Sequence, residues 1–202
     1  MYADLLWDQA DKYSNSSSLY ISFDDGPVPE ITDFVLETLE KYQAKATFFC
    51  VGENVQKYPH IYHSVIKHNH HVGNHTYNHL NGWKTDNPTY FENIALCEAT
   101  MKQQSGVALP QRKLFRPPYG KIKKSQIKHI RQNYLVVMWD ILSGDFDPNF
   151  GAEKCLKKSI AHTKSGTIII FHDSYKAEKN LKYVLPRYLD HFAQAGYRFL
   201  AI

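Results

Sequence analysis

The chain has 202 residues, 43% of them hydrophobic, and Lys and Arg exceed Asp and Glu by 24 − 20 = 4. This length suits one domain with a substantial core and is short for two. So small a positive excess does not favour nucleic-acid binding, and the absence of a run of about eighteen apolar residues argues against a transmembrane helix.

Apolar runs and stretches of helical periodicity alternate along the chain. Strands are expected at 19–23, 46–51, near Val72, and at 114–116, 134–139, 167–171 and 197–202. Helices are expected near 31–42, 61–66, 88–104, 125–132, 152–163 and 181–195, with a loop at 140–150. Such alternation predicts parallel strands joined by right-handed crossovers, and the continuously apolar strands indicate a sheet covered by helices. A barrel or an open doubly wound sheet would fit.

Other sequence features set fewer limits on the chain. Residues 1–18 are expected to be a polar lead-in to one domain over 19–202, and they lack the basic and apolar segments of a signal peptide. Cys50 and Cys97 are expected to be small buried hydrophobes, and with Cys155 they leave the redox compartment open. The sequence contains no dinucleotide-binding or P-loop fingerprint, so a nucleotide cofactor is not expected. The densest basic run predicts a solvated helix face. Its members are Lys121, Lys123, Lys124 and Lys128.

Reactive side chains fall where the predicted strands end. In chain order they are Asp24, Asp25, His75, His79, Arg116, Asp140, Asp145 and His172. In barrels and in open α/β sheets, the carboxyl ends of parallel strands meet on one face of the sheet. We therefore expect these side chains to lie in one cleft.

The HTYNH sequence at 75–79 predicts a metal site. On a helical turn, His75 and His79 would direct both imidazoles to one cation. A carboxylate from another strand end, such as Asp25, would complete a two-histidine, one-carboxylate site with open positions, where a metal lowers the pKa of water. Adjacent strand residues point in opposite directions, so Asp24 could act as a base while Asp25 binds metal. The structural alternative for this pair is an Asp-Gly-Pro turn.

Two further strand-end residues have both a structural and a chemical interpretation. His172 follows an apolar strand, where it could be a buried structural histidine or could protonate a leaving group. Arg116 precedes two prolines and could orient Asp24 by a charge-assisted pair or cap a strand. Asp173 is expected to cap a helix.

These residues lie in motifs that resemble those of the polysaccharide deacetylases of carbohydrate esterase family four, in the same order over 19–202. SFDDG at 22–26 resembles the TFDDG motif, which implies that Asp24 is the catalytic base and Asp25 a metal ligand. HTYNH resembles H(S/T)xxH, which implies that His75 and His79 complete the metal site. The family fold is an irregular (β/α) barrel, often with seven strands, so the resemblance favours an α/β barrel in a single domain.

The later motifs imply the remaining roles. RPPY at 116–119 resembles RxPY, so Arg116 would position the base and the Tyr119 backbone N–H would hold the oxyanion. IIFH at 169–172 resembles LxxH, which makes His172 the general acid. The usual DxxDW motif is altered to LSGDF at 142–146, where Asp145 fits the aspartate that tunes the acid. The residues expected to line an apolar pocket for a methyl group are Trp139, Phe146 and Ile169.

The resemblance implies a metal-dependent hydrolase, with zinc as the expected divalent cation. It would remove acetyl groups from the N-acetylated amino sugars of a peptidoglycan or chitin-like glycan. An O-acetyl ester hydrolase acting on xylan is an alternative. A carbohydrate-binding pseudoenzyme and a metal-free relative acting on cyclic amides are disfavoured by the presence of every expected ligand and acid/base residue. A cell-envelope or extracellular location is compatible with the family, and the sequence does not determine the oligomeric state.

Overall fold

Strands and helices alternate through the computed structural model, which describes residues 5–9, 17–106 and 113–202. Its strands are β1 Ser18–Asp24, β2 Thr47–Cys50, β3 His71–Asn74, β4 Lys113–Phe115, β5 Tyr134–Val136, β6 Ile141–Leu142, β7 Ile168–His172 and β8 Arg198–Leu200. Its helices are α1 Ile31–Lys41, α2 Gly52–Lys57, α3 Pro59–Lys67, α4 Asn87–Ser105, α5 Lys124–Ile130, α6 Ala152–His162 and α7 Glu178–Gln194. Much of the expected lead-in, residues 1–4 and 10–16, lies outside the described residues.

The strands form one sheet whose named pairs are all parallel. Its order is β5-β4-β3-β2-β1-β7-β6, and β8 pairs with β1. This arrangement confirms the predicted irregular (β/α) barrel of about seven parallel strands. The register places Asp24 beside Phe49 on β2 and beside His172 on β7. The carboxyl ends of three central strands therefore meet at Asp24.

Both faces of β1 are buried, because helices cover one face and the curved sheet encloses the other. Leu19, Ile21 and Phe23 belong to the large core cluster that includes the buried residues of α1 and α7. Tyr20 packs on the opposite face, in a smaller cluster formed by neighbouring strands. Alternation along the strand thus places Ser22 and Asp24 on the inner face, where polar groups gather.

Some elements differ from the predicted ones. The single helix expected near 61–66 is preceded by a short additional helix, α2, and Pro59 opens α3 at a position that proline favours. The prediction of a loop over 140–150 is wrong for Ile141 and Leu142, which form β6 and pair with β7. A strand of two apolar residues is too short to show a periodic pattern in the sequence. Cys50, Cys97 and Cys155 are buried free thiols. None of the described helices is long and apolar enough to cross a membrane.

Gly73 on β3 is a point where this packing can be tested. A Cβ on Gly73 would lie 2.5 Å from Phe49 Cδ1 and 3.2 Å from Leu114 Cβ. Since overpacking of a core costs about 1–3 kcal/mol, we expect Gly73→Ala to lower the free energy of unfolding by that amount in urea titrations. The loss should be smaller in a Phe49→Ala background, because the crowding ring is gone. An unchanged stability of Gly73→Ala would contradict this packing.

Candidate active site

A cavity of about 460 Å³ opens at the carboxyl ends of the strands. The predicted site residues that line it are Asp24, Asp25, His75, His79, Tyr119, Trp139, Phe146 and His172. Arg116 and Asp145 lie behind this lining and are 0% exposed. The topology therefore brings into one place residues that are far apart in the sequence.

Asp25, His75 and His79 form a cluster suited to a cation. One ligand atom from each residue lies within 4.8 Å of the other two. Asp25 Oδ1 is 3.2 Å from His79 Nε2 and 3.7 Å from His75 Nε2. Two imidazoles and one carboxylate are a donor set that binds a divalent metal and leaves positions open. The residues present thus fit the predicted metal.

The two histidines come together without the predicted helical turn, so that expectation is wrong. Residues 75–79 form an irregular loop after β3, with positive φ angles of 63° at Thr76 and 55° at His79. The Asn93 side chain on α4 accepts hydrogen bonds from two loop amides, those of Tyr77 at 2.7 Å and Asn78 at 3.0 Å. The conformation of the loop therefore depends on contacts with α4, outside the five-residue motif.

Contacts at Nδ1 orient each histidine toward the cluster. His75 Nδ1 lies 2.7 Å from the Arg116 carbonyl oxygen, which identifies it as the N–H donor and leaves the Nε2 lone pair for a ligand. His79 Nδ1 lies 3.1 Å from the Tyr119 hydroxyl, a contact that the sequence did not reveal. Burial lowers the pKa of His75 to about 4, so the ring is neutral at pH 7 and free to bind a metal.

Asp25 is held in its charged form despite its surroundings. Burial favours a higher pKa for Asp25, but the hydrogen bond to His79 and the positive charge of His172 bring the pKa well below its usual value. Asp24 and Asp25 were expected to point in opposite directions as adjacent strand residues. This expectation is wrong, because β1 ends at Asp24 and Asp25 leaves the strand conformation with a φ of 82°. Both carboxylates consequently reach the cavity.

Arg116 anchors Asp24 through a buried network. Arg116 Nη1 donates to Asp24 Oδ1 at 2.7 Å and to Ser22 Oγ at 2.9 Å. Nη2 donates to the Met138 carbonyl at 2.9 Å and Nε to the Val137 carbonyl at 3.3 Å. The other Asp24 oxygen, Oδ2, lies 3.8 Å from His75 Nε2. One oxygen of Asp24 is therefore paired with the guanidinium while the other remains near the cation cluster.

Asp145 forms two hydrogen bonds with His172. Its Oδ1 is 2.7 Å from His172 Nδ1, and its Oδ2 accepts the His172 backbone N–H at 2.8 Å. Ser143 Oγ donates to Asp145 Oδ1 at 2.9 Å, and Asn180 Nδ2 donates to the Asp145 carbonyl at 3.0 Å. Burial would lower the pKa of His172, but the Asp145 carboxylate outweighs it and the pKa rises to about 9. At neutral pH His172 is therefore positively charged, with both ring nitrogens protonated.

Two residues that were expected in the cleft, Ile169 and Asp140, do not line the cavity. Ile169 is 0% exposed and belongs to the core, because residues alternate along β7 and it is Ile170 that shares a face with His172. The alternation, counted back from His172, would have indicated this. Asp140 instead accepts the Ile168 backbone N–H at 3.3 Å. The apolar side chains that line the cavity are Trp139, Leu142, Phe146 and Ile170.

The role of Asp173 differs from the one predicted from the sequence. The expected helix cap is wrong, since α7 begins after Ala177. Asp173 is instead 1% exposed; it accepts the Gly26 backbone N–H at 3.1 Å and the Thr32 hydroxyl at 2.7 Å. Burial raises the pKa of Asp173 to about 8. No local pattern marks these contacts, because the partners are more than a hundred residues away in sequence.

Comparisons with known proteins agree with this geometry. The family model described as polysaccharide deacetylase matches residues 11–137. A peptidoglycan-N-acetylglucosamine deacetylase of Bacillus cereus is 34% identical over 94% of this chain and 88% of its own length. Another from the same species is 33% identical over 79% of this chain, which spans only 57% of that relative. A crystal structure of a peptidoglycan N-acetylglucosamine deacetylase has 30% identity and a TM-score of 0.85, covering 93% of this chain and 87% of that one.

The protonation of His172 can be measured directly. In the metal-free protein, NMR titration should give His172 a pKa well above 6.5 and near 9, and Asp145→Asn should bring it down. Because the folded value is raised, protonation stabilises the fold fully below pH 6.5, and this stability is lost as pH rises toward 9. A His172 pKa at or below 6.5 would contradict the assigned pairing.

Proposed function

The chain belongs to the polysaccharide deacetylase family, and we propose that it is a metal-dependent hydrolase that removes acetyl groups from N-acetylated amino sugars of a glycan and releases acetate. The observation that carries this proposal is the shared cavity, which contains a cation-binding triad, a free oxygen of Asp24 and the protonated His172. Amide hydrolysis needs a base for the attacking water and an acid for the departing amine. The two groups lie on neighbouring strands, β1 and β7.

Asp25, His75 and His79 would hold the cation, and zinc suits their nitrogen and oxygen donors. When bound, a divalent cation lowers the pKa of water and polarises a carbonyl. Asp24 would accept the proton of the attacking water at Oδ2, since Arg116 occupies Oδ1. The Tyr119 backbone N–H would donate to the oxyanion, an interaction worth about 3–4 kcal/mol in comparable sites.

His172 would deliver a proton to the nitrogen that leaves. Its pKa of about 9 keeps it protonated at pH 7, and the Asp145 contact holds the ring through Nδ1. An acid and a base with different protonation states in one site can serve the two halves of the reaction. The acetyl methyl would fit against the apolar side chains of the cavity, among them Trp139 and Phe146.

Two substitutions separate metal binding from proton transfer. We expect Asp24→Asn to retain zinc but to lower kcat by about 10²–10⁴-fold, since the base is gone while the triad remains. His75→Ala should lose bound zinc, and His63→Ala, at an exposed position outside the cavity, should change neither property. Zinc content and acetate release from N-acetylated chitooligosaccharides measure both effects.

An Asp24→Asn variant that stays active would show that the base is assigned wrongly. Acetate release from acetylxylan alone would favour the O-acetyl ester hydrolase. A zinc-loaded protein that binds glycans without releasing acetate would be a pseudoenzyme.

Two lysines in the cavity lining favour an acidic glycan. Lys121 Nζ lies 5.5 Å from the Trp83 ring centroid, and Lys176 Nζ lies 5.5 Å from the Phe146 centroid. Among the residues that the structure describes, neither lysine forms an ion pair with a carboxylate. A positive rim attracts anionic ligands at moderate ionic strength. Peptidoglycan carries carboxylates, on its stem peptides and on muramic acid units that bear no peptide, and therefore suits this rim better than neutral chitin.

This preference predicts a KM effect. For a muramic-acid-containing glycan at low ionic strength, replacing both Lys121 and Lys176 by Gln should raise KM about two- to tenfold with little change in kcat, because charges away from the reacting bond bind ground and transition states alike. A neutral chitooligosaccharide of equal length should be unaffected. Lys154→Gln, an exposed position on α6 outside the lining, is the control. A KM unchanged by the double substitution would contradict the role of the lysines.

A further inference from the structure

Asp25 has a backbone conformation that a residue with a side chain rarely adopts. Its φ of 82° is positive, a conformation that is uncommon outside glycine, although aspartate adopts it more often than most residues. Contacts with neighbouring groups hold the backbone in this conformation. Two contacts on the adjoining backbone come from α2 and its start: Asn54 Nδ2 donates to the Asp25 carbonyl at 2.8 Å, and Val51 N–H donates to the Gly26 carbonyl at 3.0 Å.

The third contact comes from Asp173, at the far end of the sequence. Its Oδ1 accepts the Gly26 N–H at 3.1 Å, and this amide directly follows Asp25. The carboxylate also fills the space beside Gly26, since a Cβ built there would lie 1.9 Å from Asp173 Oδ2 and 2.4 Å from its Cγ. Thr32, in the first turn of α1, donates to the same carboxylate and holds it at that place.

Asp173 also links the two strands that carry the proposed base and acid. Its backbone N–H donates to the Asp24 carbonyl at 3.2 Å. It directly follows His172, whose own backbone N–H is held by Asp145. The residue is 1% exposed and does not line the cavity, so it can act on the site only through the backbone.

From these contacts we infer that Asp173 is a positioning residue that holds the Asp25–Gly26 backbone in the conformation which presents the Asp25 carboxylate to the cation. This inference rests on the proposed function, because it takes Asp25 as a metal ligand. The Asp173 carboxyl group acts as a hydrogen-bond acceptor for the Gly26 N–H and fills the space beside Gly26. An uncharged side chain of the same shape, with an oxygen at Oδ1, would serve as well.

The test is zinc affinity measured by calorimetry on variants shown to be folded by circular dichroism. Asp173→Ala should weaken zinc binding about tenfold or more, the usual effect of removing a group that supports a metal ligand. Asp173→Asn, which keeps an amide oxygen for the Gly26 N–H, should restore affinity close to that of the unaltered chain. The absorption bands of the Co²⁺-loaded protein should change in Asp173→Ala and stay unchanged in Asp173→Asn.

A stability-matched control separates positioning from a general loss of structure. Leu39→Ala truncates a buried residue of α1 away from the cavity and should lower the melting temperature without changing zinc affinity. If Asp173→Ala binds zinc as tightly as the unaltered chain, the inference is overturned and the proposed function stands. If Asp25→Ala also binds zinc unchanged, or the unaltered chain binds none, both are overturned. Should Asp173→Ala not fold, Asp173→Ser takes its place, since its shorter side chain withdraws the acceptor.

The contact with Gly26 can be tested separately by a double-mutant cycle. Gly26→Ala should destabilise the protein because the new methyl group collides with the Asp173 carboxylate, which supplies all three of the nearest atoms. In an Asp173→Ala background, the same substitution should cost much less. Additive effects of the two substitutions on the melting temperature would contradict the close contact.

Discussion

The site depends on a positive charge buried at the centre of the sheet. The Arg116 guanidinium is inaccessible to water, and an unpaired charge there would be severely unfavourable. Its hydrogen bonds to Asp24, Ser22 and two carbonyls after β5 offset that cost. Removing one partner of such a pair usually costs about 3–5 kcal/mol. The proposed catalytic carboxylate of Asp24 therefore also contributes to the stability of the fold.

The same residue orients one of the proposed metal ligands. The Arg116 carbonyl accepts from His75 Nδ1, so its backbone sets the tautomer of a histidine while its side chain fixes the orientation of an aspartate. Burial keeps His75 neutral, and a carboxylate keeps His172 protonated. Two imidazoles that line the same cavity thus differ in protonation because their Nδ1 partners differ, a carbonyl for His75 and a carboxylate for His172.

The sequence predicted the alternating strands and helices and the convergence of strand-end residues because both follow from short-range patterns. These patterns fitted a barrel or an open doubly wound sheet, and the family resemblance favoured the barrel. Apolar runs, periodicity and breakers identify strands and helices, and parallel topology then brings the strand ends together. The patterns did not reveal the loop at 75–79, whose conformation depends on Asn93 of a distant helix, or the role of Asp173 beside Gly26. The error at Ile169 has a different cause. Its place in the family motif led to the expectation that it lines the pocket, but alternation along the strand turns Ile170 toward the cavity instead.

The position of β1 in the sheet has a consequence for biosynthesis. This strand is made before β7 and β8, which pair with it along one edge and follow it much later in the sequence; the bond from Ser22 Oγ to the Ile169 carbonyl spans 147 residues. Closing so long a loop costs entropy before any contact compensates for it, so folding should be slow for a chain of this size. On the ribosome, the backbone edge of β1 would stay unpaired, beside apolar side chains, until β7 and β8 emerge. This is a stage at which a chaperone that shields strand edges would prevent aggregation.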